Sequence, residues 1–177
     1  MILETERLMI RHFKEDDWKD FQEIAISKEQ SAYAYADFTW PTDENSAKNS
    51  CSYMATDNDI WAITRKEDGK VICFVNFNGI NDEHILDVGH VMNMEYGKQG
   101  YEFEGLKRLY EYAFETLGVA GIKASWAKGD IEKLEPLVCL GMKTIVEWVG
   151  DAFDNSGRAY EGCTMMITRD EWKNNIF

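Results

Sequence analysis

Apolar residues follow two periods along this chain, and the changes of period mark its elements. Residues 7–13 alternate and predict a strand. Asp16 and Asp17 then open a helix to about Ser27, with Trp18, Phe21, Ile24 and Ala25 on one face. Residues 28–40 are aromatic and irregular, and Thr42-Asp43-Glu44 starts a second helix that reaches about Thr56. Two apolar strands follow, 60–64 and 71–77, joined by a hairpin at Glu67-Asp68-Gly69-Lys70. A strand over 85–93 extends this meander. The order is then helix (about 101–117), strand (122–127), helix (131–140), strand (144–152) and strand (160–168). Gly118 and Gly121 are expected to stop the long helix, and Asp154-Asn155-Ser156-Gly157 to turn the last hairpin.

This is a mixed α/β pattern: an antiparallel half joined to a βαβ half, with no linker dividing residues 1–177, so one domain is expected. The net charge of -13 disfavours nucleic acid and anionic membrane surfaces, and favours cationic partners such as amines or basic peptide ends. No stretch approaches the ~20 consecutive apolar residues of a membrane helix. The acidic N-terminus is unlike a signal peptide, so a cytoplasmic location is expected. The four cysteines are scattered without a CxxC pair and read as free thiols, three of them in apolar runs. The three histidines form no ligand pattern, and no metal is expected.

The segment 85–142 is the most informative. An apolar strand ends in the turn Gly97-Lys98-Gln99-Gly100-Tyr101-Glu102, which leads into an amphipathic helix, a short strand and a second helix ending at Leu140-Gly141-Met142. Aligned on Leu106-Lys107, with Glu95-Tyr96, Gly100-Tyr101 and Glu104 around it, this order resembles the GNAT superfamily of acyl-CoA-dependent N-acyltransferases. It is most similar to the ribosomal-protein N-terminal acetyltransferase (Rim-type) branch, and the similarity runs from Glu4-Thr5-Glu6-Arg7-Leu8 to the last strand. The resemblance implies a GNAT-like fold, with a mixed central sheet, splayed middle strands and helices on both faces. It also implies acetyl-CoA as co-substrate and a primary amine of a small molecule or a peptide terminus as acceptor. The protein would act as a monomer or homodimer.

The same resemblance assigns site residues. Val91, Met92, Asn93 and Met94 would offer backbone groups to the pantetheine arm as an added strand. Gly97, Lys98, Gln99, Gly100, Tyr101 and Glu102 would hold the pyrophosphate at a helix N-terminus. Asp130 would face the coenzyme from the later helix, and the N–H of Met92 or its neighbour would stabilise the oxyanion. The aromatic segment with Tyr33, Tyr35, Phe38 and Trp40 would cover the acceptor, where aromatic faces hold an ammonium. The same aromatics would equally serve to cap the core.

Three departures from the family pattern bear on chemistry. Glu102 stands where a small residue lets phosphate approach. A carboxylate held within ~4 Å of the pyrophosphate would oppose it by about 4 kcal/mol per charge pair, roughly a thousandfold in affinity. The amide, hydroxyl and cation of the later helix are replaced by Asp130, Lys133 and Glu135, and a tyrosine general acid by Leu137. In a helix that binds no phosphate, acids such as Glu102 and Glu104 in the first turn simply complement the dipole. For a general base the candidates are His90 and Asp87, on opposite faces of the strand by its two-residue alternation, with Glu83 behind them. Two functions therefore stand: an amine N-acetyltransferase, or a degenerate GNAT-fold protein that has lost efficient coenzyme use and serves as a ligand-binding or interaction module.

Overall fold

The computed structural model describes residues 1–175. Eight strands form one sheet: β1 (Ile2–Glu4), β2 (Leu8–His12), β3 (Ile60–Arg65), β4 (Val71–Ile80), β5 (Ile85–Met92), β6 (Gly121–Ala127), β7 (Lys143–Asp151) and β8 (Ala159–Thr168). Their spatial order is β1-β2-β3-β4-β5-β6-β8-β7. Every neighbouring pair is antiparallel except β5 and β6. The helices are α1 (Trp18–Glu29), α2 (Glu44–Met54), α3 (Tyr101–Tyr112), α4 (Ile131–Cys139) and α5 (Arg169–Asn174). No helix among the described residues is long and apolar enough to cross a membrane.

Two clusters of buried side chains cover the two faces of the sheet. Phe21 and Ile24 of α1, with Ala47, Cys51 and Met54 of α2, pack on Ala62, Phe74 and Val91. Leu106, Leu109 and Tyr110 of α3 pack on the other face against Ile63, Val75, Leu86 and Met92, where Leu137 of α4 joins them. Successive β5 residues therefore serve opposite clusters, as strand alternation requires. Gly105 makes the approach of α3 possible, since a Cβ there would lie 2.6 Å from Ile63 Cδ1.

Several boundaries differ from the sequence expectation. Asp17 does not cap α1. Its carboxylate is taken by the buried guanidinium of Arg11, at 2.7 and 2.9 Å, and by the Lys14 N–H, so a short 3-10 turn precedes the helix. Asp43 does cap α2, accepting from the Ser46 N–H. The long helix is α-helical only to Tyr112. It closes with a π-turn over 113–117 that ends on the left-handed Gly118, while Gly121 belongs to β6. Strand β1 and helix α5 carry too few residues to show a period. β1 exists through its pairing with β2, and α5 through the reciprocal capping of Thr168 and Glu171.

Candidate active site

The parallel pairing of β5 and β6 lasts only from Ile85–Gly121 to Asp87–Lys123. Beyond it the two strands part. The Asn93 N–H donates to Ile72 O on β4. By alternation, the backbone groups of His90 and Met92 point the other way, into the gap. A cleft of about 700 Å³ opens there, lined among others by Met92, Gly97, Glu102, Trp126 and Lys133.

The turn after β5 forms the outer end of the cleft. Lys98 (φ 60) and Gly100 (φ 78) are both left-handed, a conformation that Gly100 adopts without a Cβ penalty. Arg7 braces the turn from behind: its Nη1 donates to Gln99 O at 2.9 Å, its Nε to Glu104 at 2.6 Å, and its guanidinium lies 4.3 Å from the centre of the Tyr101 ring. Among the described residues, no acceptor faces the backbone N–H groups of Lys98, Gln99, Gly100, Tyr101 or Glu102. Such a run of free N–H groups at a helix N-terminus is chemically suited to an anion. Across the mouth, Lys98 Nζ meets Glu132 at 2.8 Å.

Glu102 does not face this run of N–H groups. Its carboxylate turns inward, and Oε1 lies 2.8 Å from His90 Nε2, although neither atom completes an aligned hydrogen bond. His90 is fully buried and stands edge-on to Trp126, with ring centroids 4.9 Å apart. Burial pushes the His90 imidazole below its ordinary pKa, against the pull of Glu102. Burial alone would raise the Glu102 carboxyl, but His90 and Lys133 hold it below the usual value. The two groups form one coupled, buried pair, with Lys133 as a further charge beside Glu102. Lys133 reaches into the gap, donating to His90 O at 3.0 Å with Nζ 4.9 Å from the Trp126 ring centre. Asp130 caps α4, accepting from the Lys133 N–H at 3.4 Å. Burial pushes its carboxyl up.

The remaining candidates disperse. Asp87 lies at the closed end of the gap, paired with Lys123 at 3.2 Å and Asn78 at 3.1 Å, and lines no part of the cleft. The Val91 side chain is in the α1–α2 core, the Asn93 amide oxygen accepts from the Glu95 N–H, and the Met94 N–H donates to Ser27 Oγ. Of the four aromatics only Tyr33 lines the cleft. Tyr35 packs on Tyr160 and under Arg158, Phe38 meets Trp40 edge to face, and Trp40 closes on Phe21 and Phe74. Leu137 is wholly buried.

Sequence reasoning did not place Lys28 or Arg7 at the site. The buried Lys28 ammonium lines the cleft, donating to Phe38 O and pairing with Asp37 at 3.7 Å. Its burial pushes its pKa down. A lysine on the apolar face of α1 was the one available signal, while Arg7 gave none, since its partners lie far along the chain.

Residues 7–143 match the family model described as an acetyltransferase (GNAT) domain. An uncharacterized N-acetyltransferase, YnaD of Bacillus subtilis (strain 168), is 26% identical over 145 residues, covering 81% of this chain and 83% of YnaD. Among solved structures, a GNAT-family acetyltransferase from Bacillus anthracis superposes with a TM-score of 0.81 at 18% identity, covering 96% of this chain and 99% of that one. The ribosomal-protein-S5-alanine acetyltransferase of Vibrio fischeri gives a TM-score of 0.77 at 16% identity, covering 97% and 98%.

Proposed function

Since the chain belongs to the GNAT acetyltransferase family, we propose that it is an N-acetyltransferase that uses acetyl-CoA and acts on a primary amine of a small molecule or a peptide end. The observation that carries this reading is the run of free backbone N–H groups from Lys98 to Glu102 at the end of the cleft that Lys98 and Gly100 line, with the Glu102 Oε1 turned inward to His90. A coenzyme pyrophosphate suits those groups. Acetyl-CoA supplies the acyl group as a thioester, activated for attack by nitrogen.

The chain's own residues do the rest on this reading. The 98–102 amides hold phosphate, and Lys98 adds charge once it leaves Glu132. Of the strand residues assigned to the coenzyme, Met92 keeps a backbone N–H directed into the gap, where it can hold the thioester oxygen. The N–H groups of Asn93 and Met94 are committed elsewhere. Glu102 lines the cleft wall as an acid suited to take the amine's proton, and His90, against its buried Oε1, sits behind it as a positioning residue. Asp37, Asp130 and Glu135 make the cleft acidic and favour an amine that arrives protonated.

One observation favours a second reading, a ligand-binding module without coenzyme turnover: the Lys133 ammonium already occupies the His90 carbonyl. Calorimetric titration of acetyl-CoA separates the two. Micromolar binding, followed by amine-dependent thiol release across a panel of small amines and peptides, is the outcome expected of the enzyme. No heat of binding would leave the second reading standing.

A further inference from the structure

Lys133 reaches the middle of the cleft, and the reaction above does not use it. Its stem comes from the first turn of α4, and its ammonium ends on the β5 edge, at His90 O. The neighbouring inward-directed donor on that edge is the Met92 N–H, because the carbonyl of one strand residue and the N–H two residues on share a side. Two donors, one of them a full positive charge, therefore lie on the same side of the β5 edge, in the gap between β5 and β6. The indole of Trp126 and the aliphatic part of Met92 form the adjoining walls. Charge interactions are stronger beside such apolar walls than in water.

Resting on the acetyltransferase reading, we propose that Lys133 is a catalytic residue whose ammonium stabilises the negative charge that passes from the thioester oxygen to the departing sulfur. The amine nitrogen attacks the carbonyl carbon, the C–N bond forms, and the C–S bond breaks with its electron pair left on sulfur. The ammonium that arrives gives up two protons, one to Glu102 and on to solvent before the attack and one that ends on that sulfur, so the reaction balances without a co-reactant. Lys133 keeps its own proton throughout and lowers the energy of the anion beside it. Its other charged neighbours are Glu102 on α3, Asp130 at the head of α4 and Lys28 on α1.

The test uses the product. Free coenzyme A is titrated into the whole protein, and the ultraviolet absorbance of its thiolate is followed against pH for the wild type, Lys133→Met and Lys133→Arg. The bound thiol of the wild type should ionise about one to three pH units lower than that bound to Lys133→Met, the effect of an adjacent opposite charge. Lys133→Arg should restore most of the shift. In turnover, Lys133→Met should lower kcat by at least about tenfold with a smaller change in KM for acetyl-CoA. Equal thiol ionisation in all three, with coenzyme bound, would overturn the assignment and leave the acetyltransferase reading intact. Tighter acetyl-CoA binding and undiminished kcat in Lys133→Met would also overturn it, making Lys133 an obstruction of the gap. Failure of every form to bind either coenzyme would overturn both readings together.

Discussion

Glu102 Oε1 and His90 Nε2 approach within 2.8 Å at the inner wall of the cleft. Their meeting decides what the acid at the start of α3 does. A carboxylate on the outer face of that helix would repel a phosphate, whereas one folded inward leaves the helix N-terminus free. The contact also puts a buried imidazole behind a carboxylate that can accept a proton.

Glu102→Ala should change acetyl-CoA affinity by less than about threefold, far short of the thousandfold that direct repulsion would release. Glu102→Gln should lower kcat by roughly a hundredfold or more, the range expected for loss of a general base. Calorimetry checks the first expectation and steady-state kinetics the second.

The His90 imidazole has its pKa depressed by burial. Below the unfolded-state value of about 6.5, the unfolded chain binds a proton that folded His90 refuses. Its contribution to stability is therefore full above that value and declines as pH falls towards the folded pKa. Thermal unfolding from about pH 7.5 to pH 5 should show Tm falling more steeply in the wild type than in His90→Gln. Parallel curves would show that His90 titrates alike in both states.

Lys98 is exposed, and its pair with Glu132 is a surface ion pair worth little to folding. Lys98→Ala should leave Tm nearly unchanged yet raise the KM for acetyl-CoA by about tenfold, the value of one charge-assisted contact to phosphate. A KM equal to that of the wild type would remove Lys98 from the coenzyme site.

Gly105 and Ile63 form a tight contact between α3 and β3. Gly105→Ala should destabilise the protein by about 1–3 kcal/mol, because the new methyl meets Ile63 Cδ1 inside a packed core. Ile63→Val removes that carbon, so the double variant should be more stable than the sum of the two single losses predicts. Denaturant unfolding of the four proteins measures the coupling, and strict additivity would show that α3 shifts to accommodate the methyl.

The sequence by itself determined the elements long enough to show a period and the order in which they come. Two-residue alternation in 7–13 and short continuous apolar runs at 60–64 and 71–77 produced strands, and the spacing of Leu106, Leu109 and Tyr110 gave α3 its buried face. The turn at 97–100 and the family to which the chain belongs were legible for the same reason: they are local patterns, carried by neighbouring residues. Tertiary structure decided the direction of side chains whose partners lie elsewhere in the chain. A carboxylate at Glu102 can face water or the core with equal local geometry, and only His90 on β5 and Lys133 on α4 draw it inward. Asp17 turned to Arg11 for the same reason, and Arg7 reached Gln99 and Glu104 across most of the fold's first hundred residues. The separation of β5 from β6, which makes the cleft, leaves no mark on either strand's pattern, because pairing belongs to two strands at once.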